Sequence, residues 1–109
     1  MLGEARAKAL TLTAEPLPAE TAAAWGLIWR VVDDAELATE AEALGRRLAA
    51  GPTFGLGLIK QAIQASAGNT LARQLDLERD LQRQAGHSAD FAECVVAFLD
   101  KRPAEFTGR

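Results

Sequence analysis

Apolar residues recur at every third or fourth position through most of this chain, which is the spacing of one face of an α-helix. Proline, glycine, serine and aspartate residues interrupt this pattern at points that fit helix ends and caps. We predict six helices, in this order: residues 2–12, Pro18 to Trp25, a helix capped by Asp33 or Asp34, a helix from Pro52 to about Gly68, Thr70 to about Ala85, and a helix capped by Ser88.

The segment from Leu27 to Val32 departs from the helical pattern. It is rich in β-branched and aromatic residues, follows a predicted helix C-cap at Gly26, and favours a short extended stretch. Nothing obvious elsewhere in the sequence could pair with it, and a buried strand cannot satisfy its backbone groups by itself. We therefore predict an all-α fold of about six helices with at most one stub of strand, in one domain over residues 1–109. Part of its apolar surface is expected to pack against a larger body.

The predicted helix that begins at Thr70 has a mixed face. Its apolar residues span an arc of about 160° at 100° per residue. Glutamine and glutamate residues fall inside that arc, which consists of Leu71, Leu75, Leu77, Leu81 and Ala85 with Gln74, Glu78 and Gln82. Such a face is typical of a subunit interface or a wet crevice. The same face would also suit a helix at the edge of a bundle, where the polar ends of the glutamine and glutamate side chains reach solvent. The pattern leaves both interpretations open.

Composition excludes several classes of protein. The chain has 109 residues, 49% apolar and 25% charged, which suits one small globular domain with a modest core. The net charge is −3 without a basic stripe, so we expect no nucleic-acid partner. No apolar run approaches the ~20 residues that span a bilayer, so we expect no membrane partner. A single cysteine and the lack of a signal-peptide core favour a cytoplasmic location.

The residues that could carry chemistry each have a simple structural interpretation. One histidine and one cysteine are too few for a structural zinc site. Cys94 is expected to be a small buried hydrophobe, and His87 a loop residue. The carboxylates, including Asp90 and Glu93, are expected on solvated helix faces. Glu78 is the exception worth checking, and a salt bridge to a neighbouring arginine, Arg73 or Arg79, or to a partner chain is the favoured explanation.

The glycine-rich stretch from Gly51 to Gly57 resembles a phosphate loop only superficially. It lacks the preceding strand and the Gly-Lys-Ser/Thr ending of such loops. Each helical glycine costs about 1 kcal/mol relative to alanine, so we expect Gly55 and Gly57 to allow the close approach of another backbone.

Lys101 is the strongest candidate for contact with a ligand. It follows Phe98 by three residues at the margin of the last apolar stripe, which comprises Phe91, Cys94, Val95, Phe98 and Leu99. A lysine there can lay its stem on apolar surface and present its ammonium group to a phosphate. Spacing by itself favours a simpler role, a cation at the negative end of a helix dipole.

The order of these segments resembles the C-terminal region of the crotonase superfamily, the enoyl-CoA hydratases and isomerases. The segment from Pro18 to Val32 resembles its A-x-x-x-G-L-V-x-x-V-V segment, and residues 51–60 are similar to its G-P-x-A-x-x-x-x-K helix. The ending from Lys101 to Arg109, with Trp25-Gly26-Leu27 and the helix over residues 71–81, looks like isomerases of the phenylacetate pathway. Those enzymes act on the ring-epoxide of phenylacetyl-CoA, and 2-enoyl-CoA hydratases are nearly as similar.

The resemblance implies that the catalytic part of the family is missing here. In crotonases an N-terminal core of ββα turns holds the oxyanion hole, the acidic residues that move protons and most of the CoA site. This chain resembles the helical C-terminal domain that follows, which mediates contacts between subunits. We therefore expect no catalytic residue, no metal and no covalently bound cofactor in this chain, and no catalysis by it in isolation. A coenzyme A thioester is the expected substrate of the complete enzyme.

Carried over by position, Lys101 resembles the lysine that reaches the phosphates of CoA bound in a neighbouring subunit. Phe98 resembles the phenylalanine that borders the acyl pocket. The expected partners are copies of the chain itself, in a dimer or trimer that could be formed by the exchange of helices between copies. In the complete enzyme, acyl-CoA is a further expected partner. The alternative is a stand-alone helical interaction module without catalysis, which binds a partner through the mixed face of the Thr70 helix. An enzyme complete in 109 residues is the least supported interpretation.

Overall fold

The computed structural model describes residues 2–109, and this part of the chain forms six helices and no strand. They are α1 (Glu4–Thr13), α2 (Ala19–Ala24), α3 (Asp34–Ala49), α4 (Thr53–Ser66), α5 (Leu71–Gly86) and α6 (Ala89–Asp100). The predicted all-α class and helix number are confirmed. The chain divides into two compact units, Met1–Glu40 and Ala41–Arg109, which are described separately. That residues 1–109 act as one domain stays a prediction.

In the first unit, α2 ends as the sequence predicts. Gly26 adopts a φ of 73°, and the Leu27 N–H donates to the Ala22 carbonyl at 2.9 Å. This is the arrangement of a Schellman motif, in which glycine supplies the left-handed residue at no steric cost. The Arg6 guanidinium lies 4.7 Å from the centroid of the Trp25 ring and adds a cation–π contact.

The stub of strand allowed for residues 27–32 does not form. The backbone bends at residues 27–29 and has no regular structure over residues 30–32. Arg30 organises this segment instead, because it bonds Glu40 at 2.6 Å and lies 5.5 Å from the centroid of the Trp29 ring. Trp29 remains 75% exposed. Since a strand needs a partner for its backbone groups, a sequence with strand propensity stays irregular here.

In the second unit, α4 and α5 form the main helix pair, and α5 also packs on α6. Gln74 of α5 links the pair, since its Nε2 donates to the Ala62 carbonyl at 3.1 Å and its Oε1 accepts from Asn69 at 3.0 Å. The predicted caps are confirmed: Thr70 accepts from the N–H of Arg73, and Ser88 from the N–H of Phe91. The predicted end of this helix at about Ala85 is one residue early, because α5 continues to Gly86 and His87 is its C-cap.

The apolar core within the described residues is very small. Only Ala22, Leu81 and Ala97 are buried apolar residues, and sixteen large apolar side chains are exposed. The accessible surface is 8710 Å². Two separate compact units of these sizes would expose roughly 7000 Å² together, so the chain carries roughly 1700 Å² more. Helical faces with core-like patterning are thus exposed in the described part of the chain. No helix in residues 2–109 has the length and apolar character that a bilayer crossing requires.

Candidate functional site

The chain reverses direction at the end of α6, at Lys101. This residue adopts a left-handed conformation with φ 54°. Its N–H donates to the Phe98 carbonyl at 3.3 Å, and the Arg102 N–H donates to the Ala97 carbonyl at 3.0 Å. These two bonds define a Schellman motif, whose left-handed position is usually glycine. A residue with a side chain costs about 1–2 kcal/mol there.

A bidentate ion pair holds the chain just after this reversal. The Arg102 guanidinium donates to both carboxylate oxygens of Glu93, at 2.6 and 3.0 Å. The Glu105 N–H donates to the same carboxylate at 2.9 Å. Asp100 lies 3.6 Å from the Arg102 Nε and is more exposed than Glu93. We call the bonds that Glu93 makes to Arg102 and Glu105 the Glu93 clasp, and they draw the tail, residues 103–109, back along α6.

A buried carboxylate holds the far end of the tail. Asp90 is 3% exposed and accepts from the Thr107 N–H at 2.7 Å and the Gly108 N–H at 3.0 Å. The Asp90 N–H in turn donates to the Arg109 carbonyl at 3.0 Å. The expectation that Asp90 lies on a solvated helix face is therefore wrong. The chain reversal at Lys101, which spacing along a helix does not reveal, brings the tail over this carboxylate.

The tail also reaches the first residue of α4. Gly108 has a φ of 76°, and a Cβ at this position would lie 2.5 Å from the Thr53 Oγ1. Only glycine fits this combination of left-handed backbone and close approach. The tail thereby joins the start of α4 to the start of α6.

Phe98 and Lys101, the two predicted site residues, lie together at the open end of α6. The Phe98 side chain is 82% exposed, and Lys101 is exposed as well. Lys101 forms no ion pair within residues 2–109, whereas Arg102 pairs with Glu93 and lies close to Asp100. The end of α6 therefore carries one exposed aromatic ring and, three residues later, one exposed cation that forms no ion pair in the described residues.

The rest of the α6 stripe is exposed too, and one prediction fails as a result. Cys94 is exposed, not buried, in common with Phe91, Val95 and Leu99. The helix turns Ala97 inward, and no other element of the described chain covers the wider stripe. A pattern of apolar residues shows which face of a helix is suited to burial, but it does not show whether another part of the same chain buries that face.

The mixed face of α5 lines a groove against α4. The groove has a volume of about 300 Å³ and is walled mainly by Leu58, Ile59, Ile63 and Leu81, with Glu78 and Gln82 at its side. A polar-edged crevice was one of the two interpretations left open. A second groove of about 550 Å³ lies along α4, where Lys60 is the one cation among apolar walls.

Two expectations about this region are wrong within the chain. Glu78 accepts a hydrogen bond from the Gln74 Nε2 at 2.8 Å and pairs with neither Arg73 nor Arg79 in the described residues. Arg79 is engaged by its aspartate neighbours instead. A Cβ at Gly55 or Gly57 would meet nothing within 4 Å, so no backbone of this chain makes the close approach that we expected. Groups of three or more metal-ligating side chains do not occur in residues 2–109.

The Glu93 clasp predicts a strongly acidic carboxyl group. The hydrogen bond from Arg102, followed by that from the Glu105 N–H, lowers the pKa of Glu93 from 4.5 to about 2. Because folding lowers the pKa of Glu93, its ionised carboxylate stabilises the folded chain, and this stabilisation is fully present above pH 4.5. It is lost as the pH falls towards 2 and the carboxylate becomes protonated. We expect the ¹³C carboxyl shift of Glu93 to titrate near pH 2, and Arg102→Lys to move the midpoint upwards. A wild-type midpoint near 4.5 would contradict the clasp.

The chain is similar in sequence and fold to known proteins. The family model described as Enoyl-CoA hydratase/isomerase matches residues 1–109. The chain belongs to the enoyl-CoA hydratase/isomerase family. It is 60% identical over 98% of its length to 1,2-epoxyphenylacetyl-CoA isomerase of Escherichia coli, and covers 41% of that protein. It is 46% identical over 99% of its length to a probable enoyl-CoA hydratase of Rhodobacter capsulatus, and covers 42% of that protein.

The fold agrees with solved structures of this family. The crystal structure of an enoyl-CoA hydratase from Polaromonas sp. JS666 matches with a TM-score of 0.90 at 30% identity, over 97% of this chain and 41% of that one. The chain thus spans about two fifths of the length of the relatives that it matches. The predicted family is confirmed, and the chain corresponds to the helical C-terminal part of the crotonase fold.

Sequence reasoning missed the two carboxylates that hold the tail. Glu93 and Arg102 are nine positions apart, and Asp90 and Thr107 are seventeen apart. Neither separation is a helical neighbour spacing, so no periodicity marks them. The one available signal was the Lys101-Arg102-Pro103 terminator, because proline cannot continue a helix and a chain that leaves α6 must turn there.

Proposed function

We propose that this chain is the helical C-terminal part of an acyl-CoA isomerase that acts on the ring-epoxide of phenylacetyl-CoA. Its tasks are to assemble subunits and to border the site for CoA and the acyl group. The identity of 60% to a ring-epoxide isomerase supports this substrate over a 2-enoyl-CoA, which the 46% identity to a probable hydratase supports less strongly. The observation that carries the proposal is the exposed α6 stripe that ends at Phe98 and Lys101.

Lys101 is suited to contact the phosphates of CoA. A lysine at the left-handed position of a Schellman motif is strained where a glycine would be relaxed, and such strain persists at functional sites. Its ammonium is free of ion pairs in the described residues, and a compact cation on a flexible stem binds phosphate oxygens well. These features support a ligand role beyond the helix dipole.

Phe98 is suited to border the acyl pocket. An aromatic side chain that is 82% exposed at the end of a helix gains about 1.5–3 kcal/mol when an apolar partner covers it. It lies three residues before Lys101, so the end of α6 offers apolar surface to an acyl group and, through Lys101, a cation to the phosphates of CoA bound in a neighbouring subunit. We propose no catalytic residue in this chain and no covalently bound cofactor. The groups that move protons belong to the rest of the complete enzyme, which acts in the cytoplasm.

The uncovered apolar surface supports self-association. A specific interface buries about 600–1000 Å² of each partner, and the chain exposes roughly 1700 Å² more than two compact units of its size would. We expect a dimer or trimer in light scattering at micromolar concentration, and measurable heat on titration with millimolar CoA. A monomer that binds no CoA would contradict the proposal and favour the helical interaction module that binds a partner through α5.

Lys101→Gly separates the ligand role of this residue from its structural role. Glycine relieves about 1–2 kcal/mol of left-handed strain and loses about 0.3–1 kcal/mol of dipole stabilisation, so we expect a net gain of about 0.5–1 kcal/mol in stability. CoA affinity should fall about fivefold, as the loss of one exposed phosphate contact implies. Thermal unfolding and CoA titration measure the two effects.

Ala14→Gly is the matched control for that variant. Ala14 is also left-handed, with φ 52°, and its N–H likewise caps a helix. It carries no charge, so it should gain stability without any change in CoA affinity. If both variants gain stability and neither loses affinity, Lys101 is only a helix cap.

A further inference from the structure

We infer that Glu93 is a positioning residue for Lys101, and that it acts through Arg102. This inference rests on the proposed function, because it assigns how the CoA-contacting cation is held. The Arg102 N–H closes the reversal at Lys101, and the Arg102 side chain is clamped by both oxygens of Glu93. Lys101 is therefore fixed from both sides, by the last turn of α6 before it and by the clamped arginine after it.

The geometry also decides which of two adjacent cations faces a ligand. Lys101 and Arg102 follow each other, and either could meet a phosphate if the tail were free. Glu93 neutralises Arg102 in a forked pair, the most directional form of carboxylate recognition. Of these two cations, Lys101 is then the one that forms no ion pair in the described residues.

The tail reinforces this arrangement. The Glu105 N–H bonds the same Glu93 carboxylate, and Asp90 holds Thr107 and Gly108 at the start of α6. A tail held at two places cannot swing Arg102 away while Glu93 is charged. Because the strain at Lys101 would otherwise favour relaxation of its backbone, the clasp maintains the left-handed conformation.

The test distinguishes an effect of the Glu93 charge on CoA binding from an effect of Glu93 on the position of Lys101. Glu93→Gln removes a negative charge next to a phosphate site, so simple Coulomb attraction predicts tighter CoA binding. Positioning predicts the opposite, a weakening of about threefold, as the loss of an exposed ion pair implies. Arg102→Lys conserves the net charge but loses the forked geometry, and it should also weaken binding. CoA dissociation constants come from ¹⁵N NMR titration of the 109-residue chain with CoA.

The matched control is Asp100→Asn. It removes the same charge one residue from Lys101. The Asp100 carboxylate lies 3.6 Å from the Arg102 Nε, but in the described residues it takes no part in the forked pair with Glu93 or in the hydrogen bonds to the tail. We expect unchanged or slightly tighter CoA binding. A double-mutant cycle gives the decisive readout: in a Lys101→Gly background, Glu93→Gln should have no further effect on CoA affinity. A merely structural role would weaken binding in both backgrounds.

The outcomes separate this inference from the proposed function. If Lys101→Gly weakens CoA binding but Glu93→Gln and Arg102→Lys do not, positioning by Glu93 is wrong and the ligand role of Lys101 stands. If Lys101→Gly has no effect, or the wild-type chain binds no CoA, the ligand role fails and this inference fails with it. Amide hydrogen exchange at Glu105 and Thr107 in the same samples should accelerate in the Glu93 variant. Unchanged exchange would overturn the clasp itself.

Discussion

Leu81→Ala is expected to destabilise the chain by about 2–5 kcal/mol, the range for removal of a buried leucine. Leu81 is 5% exposed and is the one large apolar side chain buried in the described residues. Native domains are stable by only about 5–15 kcal/mol, and a chain with so small a core belongs at the low end. We therefore expect this variant to retain at most about 3 kcal/mol of stability at 25 °C. Urea denaturation followed by circular dichroism measures the effect.

The control for this prediction lies on the same helix. Leu71 is 76% exposed, so Leu71→Ala should change the stability of the isolated chain by less than about 0.5 kcal/mol. Both variants are compared at one protein concentration, because self-association makes the apparent stability depend on concentration. Equal losses in the two variants would show that the face of α5 around Leu71 is also covered, and the account of an exposed surface would be wrong.

Asp90→Ala is expected to cost about 2–4 kcal/mol. The buried carboxylate accepts from the backbone N–H groups of Thr107 and Gly108, and hydrogen bonds to a charged group are each worth about 1.5–3 kcal/mol. Alanine would leave these donors without their acceptor and release the tail from α6. Urea denaturation gives the loss of stability, and amide hydrogen exchange at Thr107 and Gly108 reports the release directly.

Asp34→Ala provides the comparison for this variant. Asp34 also lies in the first turn of a helix, α3, but it is exposed and binds no tail. It should lose only the dipole contribution of about 0.3–1 kcal/mol. If Asp90→Ala costs no more than Asp34→Ala, the carboxylate serves the helix dipole and not the tail.

The helices could be predicted from the sequence because their signals are local. Ser88 and Thr70 are caps whose bonds reach only three residues ahead, and Gly26 ends α2 through its own backbone freedom. The same locality explains the one clear failure in backbone structure. Residues 27–32 have strand propensity, but a strand also needs a distant partner, and propensity carries no information about that partner.

The candidate site could be predicted only in part. The apolar stripe of α6 and the family resemblance indicate Phe98 and Lys101, and the structure leaves both residues exposed. Their support was not predictable, because Asp90 and Glu93 look like surface carboxylates until the left-handed turn at Lys101 folds the tail over them. Cys94 shows a different limit of prediction from sequence. Its position in the apolar stripe indicates burial, yet no part of the described chain covers it.

We propose that this chain completes an acyl-CoA isomerase and does not catalyse the reaction in isolation. The most direct measurement is turnover of the ring-epoxide of phenylacetyl-CoA by two samples. One is the chain in isolation, and the other is a chimera in which the chain replaces the matching two fifths of the Escherichia coli relative. We predict isomerisation by the chimera and no rate above buffer for the isolated chain. Enzymatic turnover by the isolated chain, or a correctly assembled chimera without activity, would contradict the account.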